Sequence, residues 1–472
     1  MIRRRSDETI ARNLLALILI CAAAVSPARA EHVSTQATIR FIGATGEISG
    51  SCHLLDTGYE RILLDCGSFM ESDGSRDDAF SFPPVSVNLV VLSHAHLDHT
   101  GRLPALYAQG YTGLVLCARP TRSIAEVMLP MQDRIKTGTS GSATQRILTN
   151  FWEIPFATPR RLATGTEIEL LPAGHILGSA MIIVRYGPPE QRRTLVFSGD
   201  FGNDNCGILQ PKPTVTAADT VIVESTYGDR SHVGCADEME RFYNVLRQTA
   251  DDNAVAIIPS FVLARTQKVL AFLHRGIRTG RLPDNLNIYV SSQSAVELTK
   301  LYRANDGQLR DEYREGLRPD SSPFSFANLH LTGSNGRLSR PAVIIAPSGD
   351  ASIGPAAQII AEYVGDPTTR ICFVSSYQTP GSPGDALTSG AQRIEIGGKA
   401  FWVQGKVYEF GGFSDHGDQP QILEWLSHIS GVRQVFTVHG APAAARALAE
   451  SITQRMGWPA EAVTSEKLYV LP

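Results

Sequence analysis

Four side chains able to bind a metal fall within six consecutive residues, His94-Ala95-His96-Leu97-Asp98-His99. They follow Leu89-Val90-Val91-Leu92, an apolar run of the length of a buried strand. Imidazole nitrogen and carboxylate oxygen suit zinc and similar ions. Four such groups this close together converge only where the backbone turns sharply, and a strand end is such a place. A polar surface turn is the plain alternative. It fits poorly, because three of the chain's 12 histidines lie in this one hexapeptide.

Further ligand candidates end strands or follow glycine turns. Asp65 closes Leu63-Leu64-Asp65 before Cys66-Gly67, and His175 lies in Gly174-His175-Ile176-Leu177-Gly178-Ser179. Asp200 closes Phe197-Ser198-Gly199-Asp200, and His439 follows the apolar run 435–438. Each alone reads as a turn cap. Together with the hexapeptide they describe a metal site along one rim of a sheet. A catalytic site of this kind needs fixed ligands and an open position for water, and two neighbouring ions can hold both the attacking and the leaving oxygen.

Strand-like text covers residues 37–42, 61–64, 89–92, 114–116, 168–171, 181–186, 194–197 and 220–223, while helical text is confined to 122–136 and 142–152. That pattern predicts packed sheets and not a doubly wound one. From about Asp229 helix and strand alternate. Helices are expected over 237–249, 263–274, 295–301 and 356–363, and strands over 254–258, 287–290, 342–345 and 370–374. This rhythm predicts a second, largely parallel sheet. After residue 392 strands return, with closing helices expected over 419–428 and 442–456.

Composition narrows the function. The 472 residues carry 43 Lys+Arg against 47 Asp+Glu, a formal net charge of −4. This is a globular balance without the charge footprint of non-specific nucleic-acid binding, so a polyanion would need a local basic patch or metal ions. Arg3, Arg4, Arg5 and Arg12 precede or flank an apolar run over 14–25, followed by Ala28-Arg29-Ala30. The run is shorter than the roughly 20 residues that a membrane span needs, so residues 1–30 read as a signal peptide cut before Glu31. A secreted or periplasmic location is expected, with no membrane span in the mature chain. Of seven cysteines, removing Cys21 leaves six, an even number that permits disulfides in an exported protein. No C-x-x-C pair exists to bind zinc, and in a chain of this size buried thiols are the commoner arrangement.

In order, Asp65, residues 94–99, His175 and Asp200 resemble the four motifs of the metallo-β-lactamase fold. Val223-Glu224-Ser225-Thr226-Tyr227, Phe413-Ser414-Asp415-His416-Gly417-Asp418 and Val438-His439-Gly440 resemble the three further motifs of its β-CASP branch. That branch contains RNase J-like enzymes and the pre-mRNA 3′-end cleavage endonuclease. The chain is more similar to the latter and its bacterial and archaeal relatives, through residues 174–179 and 413–418. The resemblance spans most of residues 37–445. It implies an α/β fold, the αββα metallo-β-lactamase sandwich with an inserted α/β β-CASP cap. The implied division is a signal peptide at 1–30, the two parts of the metallo-β-lactamase domain at 31–227 and 392–472, and the cap at 228–391.

The same resemblance implies two zinc ions, one on His94, His96 and His175, the other on Asp98, His99 and His439. Asp200 would bridge them and Asp65 would orient the site from behind. Asp98, Glu224 and His416 would carry the reaction, with His416 as general acid and Glu224 as its partner. The implied activity is zinc-dependent hydrolysis of phosphodiester bonds in single-stranded RNA, or in DNA. Arg265, in the segment 259–267, and the turns holding Ser348, Gly381 and Ser382 are candidate phosphate contacts. The segment 289–295 stands where relatives tend to carry Asp-Ser-Pro. Ser348-Gly349-Asp350 replaces Ser-Gly-Met, residues 381–384 replace Gly-Thr-x-Gly, and Ala441 replaces an acidic residue. These departures bear on substrate identity and not on the metal ligands. A non-nucleolytic ester, thioester or lactone hydrolase is the alternative activity. A binding protein with an idle metal site is the alternative class, and the intact ligand set argues against it. A homodimer is compatible with the resemblance.

Overall fold

Ile39 and Phe41 lie two residues apart and are buried on the same side of one strand, as are Ile62 and Leu64, and Leu89 and Val91. This period of two builds the first sheet. In a computed structural model, which describes residues 36–472 except 70–75, 77–78, 138–143, 145–146, 316–321, 332–337 and 376–377, that sheet has seven strands. Their order is Lys467–Val470, Thr38–Gly43, Cys52–Asp56, Arg61–Leu64, Leu89–Val91, Leu114–Cys117 and Phe151–Glu153. The last four run parallel. The expected signal peptide and Cys21 lie outside the described residues.

A second seven-stranded sheet runs Ala460–Ala462, Gln434–Val438, Thr220–Glu224, Arg193–Phe197, Ala180–Tyr186, Glu167–Pro172 and Arg160–Arg161. Its Ile182, Val184, Leu195, Phe197 and Phe436 meet Ile39, Phe41, Leu64 and Val91 of the first sheet in one dry layer. Helix Arg119–Thr137 covers the outer face of the first sheet, where Ile124, Ala125 and Leu129 join Val90, Leu92 and Val115. Helices Gln419–Ser427 and Pro442–Met456 cover the second through Ile422, Leu426, Leu448 and Ile452. The result is the four-layer αββα sandwich.

Between the parallel neighbours Thr220–Glu224 and Gln434–Val438 the chain builds a third sheet. Its order is Leu329–His330, Asn287–Val290, Ala342–Ala346, Val255–Pro259, Arg370–Phe373 and Lys406–Glu409, with every pair parallel. Helices Cys235–Asp251, Arg265–Arg278, Gln293–Ala304 and Gly354–Tyr363 accompany it, as the alternating text requires. The sheet reaches Glu409, past residue 391 where the sequence reading ends the insertion, because Lys406–Glu409 pairs with Arg370–Phe373. The helical reading of 142–152 also fails at its far end. Phe151 pairs with Val115, so the edge of the first sheet claims it.

Cys206 and Cys235 form a disulfide, joining the loop that follows Asp200 to the first helix of the insertion. Cys52, Cys66, Cys117 and Cys372 are buried free thiols. Closing a loop with a sequence separation of 29 removes conformational freedom from the unfolded chain, a stabilisation of about 3 kcal/mol. Replacing both Cys206 and Cys235 with serine is expected to lower the melting temperature by a few degrees. Equal melting of the variant and the oxidised parent in a calorimeter would show that the bond adds nothing.

Candidate metal centre

The strands Arg61–Leu64 and Leu89–Val91 are parallel, as are Arg193–Phe197, Thr220–Glu224 and Gln434–Val438, so their C-terminal ends share a rim. Asp65, the hexapeptide, Asp200, Glu224 and His439 all sit there. Two of these turn the chain back with a left-handed backbone, Asp65 at φ 59° and His439 at φ 52°. Such a conformation costs a non-glycine residue about 1–3 kcal/mol and clusters at functional sites. Asp65 is fully buried. Its Oδ1 accepts from Ser93 N at 2.7 Å, and its Oδ2 accepts from Ser93 Oγ at 2.8 Å and Ser51 Oγ at 3.1 Å. The same Oδ2 lies 2.7 Å from His99 Nδ1. A carboxylate only accepts, so His99 carries a proton on Nδ1 and turns Nε2 to the centre, where a metal would take the place of any proton on it.

The backbone around Gly67 grips the hexapeptide. Cys66 N donates to His99 O and Ser68 N to Leu97 O, each at 2.8 Å. A Cβ on Gly67 would stand 1.6 Å from the Asp98 carbonyl oxygen, so no side chain fits. Gly67→Ala is expected to push Asp98 and His99 aside, costing about 1–3 kcal/mol of stability and weakening zinc binding. Parental melting and parental zinc content by elemental analysis would refute this.

Two groups of donors converge. The donor atoms of His94, His96, His175 and Asp200 lie within 4.8 Å of one another, and so do those of Asp98, His99 and His439. Asp200 stands between the groups. Its Oδ2 lies 3.6 Å from His94 Nε2, 3.6 Å from His175 Nε2 and 3.4 Å from His99 Nε2, while its Oδ1 lies 3.6 Å from His439 Nδ1. His439 Nε2 is 3.4 Å from Asp98 Oδ2 and 3.2 Å from His99 Nε2.

The electrostatics match a cation site. Burial pushes the His94 and His175 imidazoles well below the usual histidine range, which leaves them neutral, the form that binds metal. Burial would raise Asp98, but the neighbouring His99 and His439 bring it down to about 2. Burial would likewise raise Asp200, yet His439, His99 and His94 hold it well below the usual carboxylate range. Asp200 Oδ1 is buried without a hydrogen-bond partner. Native proteins rarely leave such an oxygen unsatisfied, and amid converging imidazole nitrogens it fits a metal ligand.

Beside this set lies a third group, Asp200, Glu224 and His416. Glu224 is fully buried at the end of its strand. Its two oxygens lie 3.1 and 3.2 Å from His416 Nδ1, and Oε1 also accepts from Phe201 N at 2.7 Å. Burial would lower the pKa of His416, but Glu224 and then Asp200 outweigh it and push it up to about 10. His416 is therefore an imidazolium at neutral pH, with 21% of its side chain open to solvent.

The structure thus gathers every metal-ligand candidate together with Asp65, Glu224 and His416. The phosphate candidates are placed differently. Arg265 is buried, with its Nε on Asp415 Oδ2 at 3.0 Å and its Nη1 on the Val374 carbonyl. Ser348 Oγ donates to Asp350 Oδ1 and Ile353 O, Gly381 N to Asp385 Oδ2, and Ser382 Oγ caps helix Pro383–Thr388 by accepting from Asp385 N. Each has a partner within the protein. Sequence reasoning missed Ser51, Ser93, Asn203, Thr226, Lys268 and Asp415. Ser93, Thr226 and Asp415 lie inside the motifs, but Ser93 and Thr226 are not ligand types and the Asp415 carboxylate is taken up by Lys268 and Arg265. Lys268 had one signal, a charge directly before the apolar run 269–273 of its helix.

The chain matches the description of the metallo-beta-lactamase superfamily over residues 45–230, of the Beta-Casp domain over 266–387, and of the Zn-dependent metallo-hydrolase RNA specificity domain over 402–463. It is 32% identical over 410 residues to ribonuclease TTHA0252 of Thermus thermophilus, covering 84% of this chain and 92% of that one. It is 27% identical over 450 residues to the transcription termination factor FttA of Methanosarcina mazei, covering 90% of this chain and 70% of that one. A solved structure of a protein of unknown function from Enterococcus faecalis V583 aligns with a TM-score of 0.53 at 11% identity. That alignment covers 92% of this chain and all of the other, and it speaks for the fold alone.

Proposed function

Because the chain belongs to the β-CASP branch of the metallo-β-lactamase superfamily and is a metallo-hydrolase, we propose that it is an exported two-zinc ribonuclease cleaving single-stranded RNA. The observation that carries this reading is a carboxylate-paired imidazolium, His416, whose Nδ1 lies 4.0 Å from the Asp200 carboxylate at the junction of two His/Asp donor groups.

His94, His96 and His175 would hold one zinc, Asp98, His99 and His439 the other, with Asp200 between them. The chemistry that zinc would supply there is a water of lowered pKa and neutralised charge on the phosphoryl oxygens. Asp65 holds His99 in the tautomer that presents Nε2. Glu224 accepts the Nδ1–H of His416, which keeps the imidazole protonated and aimed, and the Nε2–H is the proton given to the departing oxygen of the cleaved ester. Phe201 N and Thr226 N, both donating to Glu224, keep the carboxylate in place.

Three observations support the finer parts of the proposal. A relative 32% identical along most of its length is named a ribonuclease. The formal net charge of −4 gives no overall positive field to draw in a duplex, which favours a strand engaged at the centre itself. The Cys206–Cys235 disulfide suits an oxidising compartment, in keeping with the leader-like residues 1–30.

The test uses end-labelled single-stranded RNA and its duplex at low salt with zinc, resolved on a sequencing gel. Cleavage of the single strand, abolished by a chelator, is the expected result. An intact RNA in the presence of zinc-loaded protein would overturn the nuclease reading in favour of a small ester or thioester substrate. Export is tested separately by sequencing the N-terminus of the protein from its native compartment. A start far from Glu31 would overturn that part.

A further inference from the structure

Helix Arg265–Arg278 of the insertion carries a lysine where a helix buries its face. Lys268 is 1% exposed, and an ammonium in such a place is costly unless its donors are all used. They are used on one short stretch of chain. Nζ donates to Phe413 O at 3.2 Å, Ser414 O at 2.9 Å and Asp415 Oδ1 at 2.8 Å. The other Asp415 oxygen takes the Arg265 Nε at 3.0 Å. Two cations of one helix turn therefore clamp residues 413–415.

The clamped stretch touches the metal centre twice. The Asp415 carbonyl oxygen lies 3.1 Å from His175 Nδ1 and also accepts from Asn203 N at 3.1 Å. A carbonyl only accepts, so His175 carries its proton on Nδ1 and turns the Nε2 lone pair toward Asp200 Oδ2, 3.6 Å away. The residue after Asp415 is His416, whose own N donates to Ser414 Oγ at 3.2 Å.

We propose that Lys268 and Asp415 are a positioning pair, through which the inserted domain sets both the metal affinity of the His175 donor group and the aim of the His416 imidazole. Without Lys268, two carbonyls and a carboxylate lose a buried donor, and the stretch that aligns both histidines shifts to find others. The proposal rests on the metal-centre reading above.

The experiment compares the parent with Lys268→Met and Asp415→Asn, each as the full chain. Zinc affinity is measured by competition with a chromophoric chelator, the site is read by the absorption spectrum of the cobalt(II)-substituted protein, and kcat is separated from KM. Lys268→Met is expected to weaken one zinc site about 10–100-fold, to alter the cobalt spectrum, and to lower kcat by a similar factor. KM is expected to stay within about twofold, because the pair acts on positioning and not on substrate binding. A folded Lys268→Met protein with parental zinc affinity, cobalt spectrum and kcat would overturn the proposal, leaving only a structural ion pair. If the methionine variant fails to fold, Asp415→Asn, which keeps the shape and removes the charge, decides on the same readouts. Failure of the parent itself to bind zinc would overturn the metal-centre reading and this pair with it. Unchanged zinc affinity, cobalt spectrum and kcat in variants of a zinc-binding parent would overturn the pair alone.

Discussion

Asp200→Ala is expected to lower kcat by at least about a thousandfold and to release at least one zinc ion per chain. The carboxylate stands between the two donor groups, within 3.4–3.6 Å of nitrogens from His94, His99 and His175. Its buried Oδ1 has no hydrogen-bond partner and lies 3.6 Å from His439 Nδ1. Alanine would leave a cluster of imidazoles with less negative charge to hold a cation, while the sheet-rim backbone that positions them stays. Metal ions contribute several kcal/mol to transition-state stabilisation in such hydrolyses, and about 4 kcal/mol corresponds to three orders of magnitude in rate. Zinc content by elemental analysis and single-turnover kinetics check this together. Full zinc content with parental turnover would remove Asp200 from the centre and undo the proposed ligand arrangement.

His416→Gln is expected to lower kcat by about 10²–10⁴-fold with zinc content unchanged, the usual range for losing a positioned general acid. Glutamine keeps a polar side chain opposite Glu224 but has no proton to transfer. The leaving group separates this role from a structural one. A phosphodiester with a nitrophenolate leaving group needs no protonation, so the variant should lose far less on it than on RNA. Equal losses on both would assign His416 to architecture. The pair also links to pH. Burial lowers the histidine, but Glu224 prevails, and the folded-state value of about 10 lies above that of an exposed histidine. The group therefore binds its proton more tightly in the folded protein. Its stabilising contribution is full below about pH 6.5 and is lost as pH rises through about 10. Glu224→Gln should remove that dependence in thermal melts across the alkaline range.

Most of the candidate metal ligands were legible in the chain because they follow strands, and strands announce themselves by apolar runs, whereas His175 follows the turn at Gly174. Leu89-Val90-Val91-Leu92 before the hexapeptide and the apolar run before His439 are local signals, and the rim they share follows from parallel pairing. The insertion was legible for the same reason, as a change from sheet text to alternating helix and strand. Its far boundary was not. Lys406–Glu409 joins the third sheet by pairing with Arg370–Phe373, and nothing within residues 406–409 distinguishes one sheet from another. Phe151 fell to the edge of the first sheet in the same way, by a partner 36 residues earlier in the chain, Val115.

Arg265 shows the limit most clearly. From sequence it is an arginine at a helix start and a candidate phosphate contact. The fold places Asp415 against its Nε and Lys268 beside it, and the side chain is occupied. By itself the sequence determined which residue types stand at strand ends, that two sheet systems are present, and that a candidate His/Asp metal site lies on a sheet rim. The tertiary structure decided which carboxylate fixes which imidazole, which two of the cysteines pair, and which cations serve the interior. The physical reason is that strand and helix periodicity are written in neighbouring residues. Hydrogen bonds and ion pairs act over a few ångströms in space, and here they join residues as distant as Glu224 and His416, separated by 192 positions.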